Sequence, residues 1–385
     1  MIEVEVVAEK LHIIELFGGV GCQATAFENI GLDFDSILCE IDESASRSYM
    51  ALHGETENLG DITKVEHLPK TDMVFYSYPC QAVSISGRHK GMVEGSGTTS
   101  SLVWEVIRLL KDAKARGELP EYLGMENVPA VLSKKHRPVF DKLCEALEEL
   151  GYTNSYALMN AKDYGTPQNR KRLFMVSSLH HGKFVFPEPI GCDRVLDDVL
   201  EDDVPEEYYL SQEKIAKYEA HRIRQEENGR NFGWKPLDRT TAKYSNTVTC
   251  IVDRHATGVF IKETNRCVLA GRLNGKGHDI INRVYDVNGL SPTITTPSGG
   301  GHLPKIDVST DILAIRTITP REAWRLQGFN DEQIDRAFAV TPSKTQRYKQ
   351  AGNGIAVPCL EAIFKGMFID NTWEEPSQAT LERWM

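Results

Sequence analysis

The feature that most constrains this chain is an alternation in its first half. Short apolar runs take turns with stretches whose apolar residues recur at helical spacing. "KLHIIELF" (10–17), "FDSILCEID" (34–42), "DMVFYSYP" (72–79) and "EYLGMENVP" (121–129) read as strands. A helical stretch around Ala24–Asn29 follows the first. "SSLVWEVIRLLKDAKARG" and "RPVFDKLCEALEELGY" read as amphipathic helices that stop at Gly117 and Gly151. Strands alternating with helices predict an α/β fold with a mostly parallel sheet covered on both faces. The pattern breaks after "RLFMVSS" (172–178). From about His180 to Lys305 the chain is rich in Gly, Pro, Asn and Thr, with short apolar pieces such as "TVTCIV". This reads as a smaller, irregular, partly β module. Regularity returns at "TPREAWRLQGF", with Thr319 as N-cap and Pro320 at N1, and at "AGNGIAVPCLEAIFKGMF". The expected organisation is therefore 1–180, a module at 181–306, and 307–385 returning to complete the first part. No internal repeat or low-complexity segment is read.

Composition excludes some classes. With 385 residues, 41% hydrophobic and 26% charged, the chain is ordinary globular material. No apolar run is long enough for a membrane span, and "MIEVEVVAEK" does not read as a secretory signal. Eight cysteines without regular spacing and without a C-x-x-C pair suggest neither disulfides nor a metal site. A reducing, cytoplasmic setting fits them. The net charge of −11 is uneven: Glu188–Glu207 holds nine acids and one arginine, whereas Tyr209–Lys305 holds fifteen Lys/Arg and nine acids. The second stretch either is an ordinary solvated surface or offers a basic face to a polyanion.

Chemistry-bearing residues gather at the ends of the predicted strands. "ELFGGVGC" (15–22) follows the first, and Gly19 and Gly21 let backbone approach a ligand there; a plain tight turn is the alternative. The second strand ends at Glu40, placed to bind ribose hydroxyls, and Asp61 in "GDIT" can accept from an adenine amino group. Together they point to a nucleoside-bearing cofactor, and the absence of full G-x-G-x-x-G spacing disfavours NAD. The third strand ends in Pro79-Cys80-Gln81, followed by a loop with Ser84, Ser86, Gly87, Arg88 and Lys90. Such a cysteine is either buried and inert or, among cations, a thiolate nucleophile. Glu126 in "GMENVP" ends the next strand and is a candidate acid/base; a simple surface glutamate is the alternative. Arg170 and Arg172 in "QNRKR" project to one side of an extended segment, as a basic edge or as fixed cations facing an oxygen.

"FGGVG", "YPCQ", "MENV", "QNRKR" and "QAGNGIAVP", in this order, resemble the cytosine-5 DNA methyltransferases of bacteria and phages. The match covers roughly 11–180 and 315–365. Two departures stand out: "SY" precedes Pro79, and the last motif is Gly-Asn-Gly where Gly-Asn-Ser is commoner. The resemblance implies a Rossmann-like methyltransferase domain with a target-recognition domain between its halves, and S-adenosylmethionine as methyl donor. It implies Cys80 as the covalent nucleophile at carbon 6 of a flipped-out cytosine. Glu126 would act at nitrogen 3, and Arg172 with Arg170 would stabilise oxygen 2 and hold the loop. It sets Phe17 against adenine, Gly19 and Gly21 near the methionine part, Glu40 on the ribose and Asp61 on the adenine amino group. Pro79 and Asn353 join this cofactor set. Double-stranded DNA is the implied partner, touched by Ser84, Ser86, Arg88 and Lys90 of the loop. "GRLNGKGH" with Arg272 and "SPTITTPSGGGH" with Thr293, in the net-positive stretch, are the candidate DNA-reading loops; simple Gly-rich connectors are the alternative. A monomer is implied, with any cognate restriction endonuclease acting separately. RNA as substrate, and a catalytically silent DNA-binding protein, are the rival readings.

Overall fold

The computed structural model describes residues 10–79, 102–230, 232, 234–250, 258–263, 269–272, 283–286, 305–307 and 314–375, with 269–272, 283–286 and 305–307 described by backbone alone. The main sheet holds β1 (Leu11–Leu16), β2 (Phe34–Cys39), β3 (Met73–Tyr76), β4 (Tyr122–Asn127), β5 (Thr153–Asn160) and β6 (Lys171–Ser178). Their spatial order is β2-β1-β3-β4-β6-β5. β1 pairs in parallel with both β2 and β3, and β3 with β4; β6 is antiparallel to β4 and β5. The chain thus turns to opposite sides of β1, the arrangement that opens a crevice at the strands' carboxyl ends.

Strand alternation explains why both faces are covered. Ile13, Met73 and Phe75 face one apolar cluster; Ile14, Val74 and Tyr76 face another. The second is closed by α3 (Val103–Arg116) and α4 (Arg137–Leu150), whose apolar residues repeat at helical spacing. The first receives α1 (Cys22–Asn29) and the last helix, Val357–Phe368, with Phe27 stacked on Phe364 at 4.2 Å between ring centroids.

Several elements appear where no regular element is read from sequence, among them the following. α2 (Glu43–His53) is capped by Asp42, which accepts from the backbone of Ser44 and Ala45. β5 is an edge strand with exposed Tyr156 and Leu158. α5 (Gln212–Glu227) buries only Ile215 of its own residues and lies within the stretch read as irregular and partly β. Ile215 joins Trp234, Phe260 and Ile315 in a small separate core.

The middle of the chain contributes two small sheets. β7 (Leu237–Asp238), β8 (Phe260–Glu263) and β12 (Ala314–Thr317) form one; β9 (Leu269–Arg272), β10 (Arg283–Asp286) and β11 (Lys305–Asp307) form the other. Arg316 on β12 is fully buried between Glu263 (2.7 Å) and Glu322 (2.8 Å), tying β8 to α6 (Pro320–Arg325). α6 starts as expected, with Thr319 as N-cap in a capping box and Pro320 at N1. α7 (Asp331–Val340), α8 (Lys344–Asn353) and α9 (Val357–Phe368) complete the chain's order.

The strand pairing exposes a repeat that sequence inspection misses. Leu237-Asp238 pairs in parallel with Ile261-Lys262, and Tyr285-Asp286 pairs in parallel with Ile306-Asp307. Between the first pair of strands lies Ser-Asn-Thr-Val-Thr (245–249); between the second lies Ser-Pro-Thr-Ile-Thr (291–295). Six residues separate Asp238 from Ser245, but four separate Asp286 from Ser291, so the copies are out of step. The second copy's motif lies outside the described residues.

Candidate active site

A cavity of about 490 Å³ lies over the carboxyl ends of β1 to β4. Its floor is the turn after β1. Phe17 takes a left-handed φ of 58°, rare for a side-chain-bearing residue, and lines the cavity. Gly18 passes so close to β2 that a Cβ would fall 2.6 Å from Leu38 Cδ1. At Gly21, with φ 82°, a Cβ would fall 2.5 Å from His53 Nε2. Gly19 lines the cavity; Gly21 does not, and acts instead as N-cap of α1.

The acids expected for a nucleoside are in place. Glu40 Oε2 accepts from Gly19 N (3.0 Å) and Oε1 accepts from Asp42 N (2.8 Å). These bonds fix the carboxylate and leave a lone pair on each oxygen for a further donor. Burial pushes its pKa up. Asp61 Oδ1 accepts from the Thr63 hydroxyl (2.8 Å) and backbone N–H (3.0 Å), which hold its pKa down. Its Oδ2 has no partner among the described residues. Ile41, 72% exposed, also lines the cavity and supplies apolar surface that sequence reading missed. Asn353, the last residue of α8, lines the opposite wall.

The other end of the cavity carries a carboxyl–guanidinium pair. Because β6 runs antiparallel to β4, its start adjoins β4's end, and Arg172 Nε meets Glu126 Oε1 at 3.0 Å. Burial raises the Glu126 pKa, against the opposing pull of Arg172 and Arg170. Pro79, the residue before Cys80, lines the same cavity. Asn127, also unanticipated, donates to Tyr78 O (3.2 Å) and accepts from Val128 N (2.9 Å), joining the ends of β3 and β4.

Arg170 and Arg172 both line the cavity but have different partners. Arg170 donates to Val248 O (2.8 Å), Gly352 O (2.9 Å) and Gly354 O (2.7 Å), and is almost wholly buried. Its guanidinium therefore clamps the loops around Asn353, and the geometry gives it the holding half of the role expected for the pair. Gln168 works beside it, accepting from Val248 N (3.1 Å) and donating to Leu326 O (2.7 Å). Asn169 N donates to Ser245 O (2.9 Å), and Thr247 Oγ1 donates to Asn169 O (2.7 Å). Residues 245–250 are thus stitched onto the Gln-x-Arg-x-Arg segment next to the cavity.

Cys80, Ser84, Ser86, Arg88, Lys90 and Thr293 lie outside the described residues, and Arg272 is the last residue of β9. Among the described residues no His/Cys/Asp/Glu group could hold a metal ion, and no helix is long and apolar enough to cross a membrane.

The cavity suits S-adenosylmethionine on several counts. The volume falls within the usual range for small-molecule sites. The glycine turn brings backbone to its floor, and two carboxylates keep open acceptor positions. Two buried glutamine oxygens in its wall, Gln23 Oε1 and Gln350 Oε1, have no hydrogen-bond partner.

Comparison with known proteins agrees with this geometry. The C-5 cytosine-specific DNA methylase profile matches residues 11–368. The chain belongs to that family. It is a cytosine-5 DNA methyltransferase by family, with restriction-modification and orphan phage relatives. The type II methyltransferase M2.ScrFI of Lactococcus lactis subsp. cremoris is 30% identical, over 88% of this chain and 80% of its own. The orphan methyltransferase M.SPBetaI of Bacillus phage SPbeta is 28% identical, over 92% of this chain and 97% of its own. In three dimensions the chain is similar to the Entamoeba histolytica methyltransferase EhMeth, with a TM-score of 0.67 at 18% identity over 94% of this chain and 99% of that one. This likeness shows the Rossmann-like methyltransferase fold.

Proposed function

We propose that this methyltransferase moves a methyl group from S-adenosylmethionine to carbon 5 of a flipped-out cytosine in a specific duplex DNA sequence, through a covalent bond from Cys80. The observation that carries the reading is the Glu126–Arg172 pair, 3.0 Å apart, in a cavity whose wall runs to Pro79, the residue before Cys80.

Carbon 5 of cytosine is a weak nucleophile. The Cys80 thiolate adds to carbon 6, and the displaced electron pair moves toward nitrogen 3 and oxygen 2. Glu126, whose pKa burial raises, donates in its protonated form to nitrogen 3 and accepts from the exocyclic amino group. Arg172 supplies positive charge at oxygen 2, and Arg170 holds the surrounding loops. S-adenosylmethionine, when bound, supplies an electrophilic methyl group on a sulfonium. Carbon 5 would take that methyl as the methyl–sulfur bond breaks, leaving the thioether S-adenosylhomocysteine, and nitrogen 3 would return its proton to Glu126. A base then removes the carbon-5 proton, the C5–C6 double bond re-forms, and the thiolate is expelled. Phe17 and Ile41 supply apolar surface for the adenine, Asp61 its amino-group acceptor and Glu40 the ribose acceptor. Flipping the base costs a few kcal/mol in lost stacking and pairing. The segment with Ser84, Ser86, Arg88 and Lys90 offsets part of that through phosphate and gap contacts. Residues 181–306 recognise the duplex, with Arg272 and Thr293 among the contacts. The enzyme acts as a monomer in the cytoplasm, apart from any cognate endonuclease; the six cysteines among the described residues are free.

Bisulfite sequencing of a plasmid propagated with the wild-type chain and with Cys80→Ser tests the reading. Protected cytosines at one recurring sequence, lost in the variant, support it. A plasmid with no protected cytosine, in cells that make folded wild-type protein, contradicts it.

A further inference from the structure

The cofactor cavity contains one side chain whose position has no structural explanation. Gln23, in the first turn of α1, is 1% exposed. No hydrogen bond reaches either end of its amide among the described residues, and its Oε1 is a buried orphan. A buried amide is ordinarily satisfied, so one left open in the wall of a ligand cavity marks a contact completed by the ligand.

A second orphan stands across the seam. Gln350 on α8 donates through Nε2 to Ser44 O (3.0 Å) and Ser48 Oγ (2.9 Å), while its Oε1 has no partner. Because Ser44 O can only accept, the bonded end of Gln350 must be the nitrogen and the open end the oxygen. Both glutamines line the cavity. Cys22 Sγ accepts from Ile355 N at 3.3 Å. A Cβ on Gly354 would lie 3.4 Å from Cys22 Sγ and 3.2 Å from Gln350 O. So α1's first turn and the end of α8 approach each other at the cavity wall, and each carries a glutamine whose amide oxygen has no partner among the described residues.

On the cofactor assignment above, on which this step rests, we infer that Gln23 and Gln350 hold the α-ammonium of the methyl donor's amino-acid half, with Gln23 as the residue that grips and orients it. Two unpartnered amide oxygens call for a donor with several N–H bonds, and the ammonium is the only such group in that half of the molecule. Glu15, fully buried beneath the same turn, is hydrogen-bonded to the Ala24 backbone; desolvation pushes its pKa up to about 7, so at neutral pH it sets part of a negative charge against the positive end of α1. The arrangement makes Gln23 a selectivity device: it favours ligands that carry the amino-acid half over adenosine fragments that lack it.

The test is titration calorimetry with three ligands on wild-type protein and Gln23→Leu, which keeps the buried volume close. S-adenosylhomocysteine carries ammonium and carboxylate, decarboxylated S-adenosylmethionine carries the ammonium alone, and 5′-methylthioadenosine carries neither. The expected result is a loss of about tenfold or more for the first two ligands, the size of a hydrogen bond to a charged group, and none for the third. Unchanged 5′-methylthioadenosine binding also shows that the variant's pocket is intact. Equal loss for all three, or none for S-adenosylhomocysteine, overturns the inference. Loss for S-adenosylhomocysteine but not for the decarboxylated ligand overturns the ammonium assignment. Failure of the wild-type protein to bind any of the three refutes the cofactor reading itself, a separate outcome.

Discussion

Replacing Gly352 with alanine probes the joint between the recognition segment and the catalytic cavity. A Cβ at Gly352 would fall 2.2 Å from Cys250 N, 2.4 Å from Thr249 C and 2.5 Å from Cys250 Cα. All three are backbone atoms, so no side-chain rotation relieves the clash. Either α8's end or residues 249–250 must move. Both are held by Arg170, through Gly352 O and Val248 O. Overpacking of this kind typically costs about 1–3 kcal/mol. Gly354 is the control: its Cβ would meet nothing nearer than Gln350 O at 3.2 Å, and its φ of −62° suits any residue. Urea unfolding should place Gly352→Ala about 1–3 kcal/mol below wild type and Gly354→Ala within about 1 kcal/mol of it. The KM for DNA should rise in the first variant and hold in the second. A Gly352→Ala protein as stable as wild type, with unchanged KM for DNA, would refute the docking of residues 249–250 against α8.

Four further outcomes follow. Glu126→Gln keeps the shape but removes the donating carboxyl, and should lower kcat by about 10²-fold or more with S-adenosylhomocysteine binding retained. Since Glu126 must be neutral to donate and burial raises its pKa, kcat should fall as pH rises through that raised value, checked by a pH–rate profile in which a flat alkaline limb counts against the role. Glu40 must be charged to accept from ribose, and its pKa is also raised, so S-adenosylhomocysteine affinity should weaken at mildly acid pH; Glu40→Gln should bind more weakly and lose that dependence. In the first copy of the repeat, Thr249 is exposed next to Gly352 whereas Thr247 is used by Asn169 O. Thr249→Val should therefore weaken duplex binding about fivefold in a filter-binding assay, and Thr247→Val should act mainly on stability.

Much of the site could be read before the fold because parallel strands end together. An acid after β2, a glycine turn after β1 and an acid after β4 had to converge if the alternation was real, and they line one cavity. What could not be read depends on partners far along the chain. Arg170 meets carbonyls 78 to 184 residues away, so alternation with Arg172 gives a shared side but not a clamp. Gln23 and Gln350 look in sequence like any polar residue on a helix, and only a buried amide oxygen without a partner among the described residues distinguishes them. α5 is hard to read because its residues are mostly polar and charged and only Ile215 is buried, which leaves little apolar periodicity to detect. α2 mixes serines with few apolar residues and relies on its Asp42 cap. β5 exposes Tyr156 and Leu158 at the sheet's edge, which blurs the strand alternation. The repeat escaped notice because its two spacers differ in length; the equal pairing of Leu237 with Ile261 and of Tyr285 with Ile306 brings it out.

The most direct test of the account uses duplex DNA with 5-fluorocytosine at the modified position, incubated with the protein and S-adenosylmethionine. Fluorine cannot leave as a proton, so the final elimination is blocked and the enzyme stays bonded to carbon 6. A denaturant-resistant protein–DNA species, mapped by peptide mass to Cys80 and absent in Cys80→Ser, is the predicted result. Methyl transfer to ordinary cytosine by Cys80→Ser, or an adduct mapped to another residue, would contradict it.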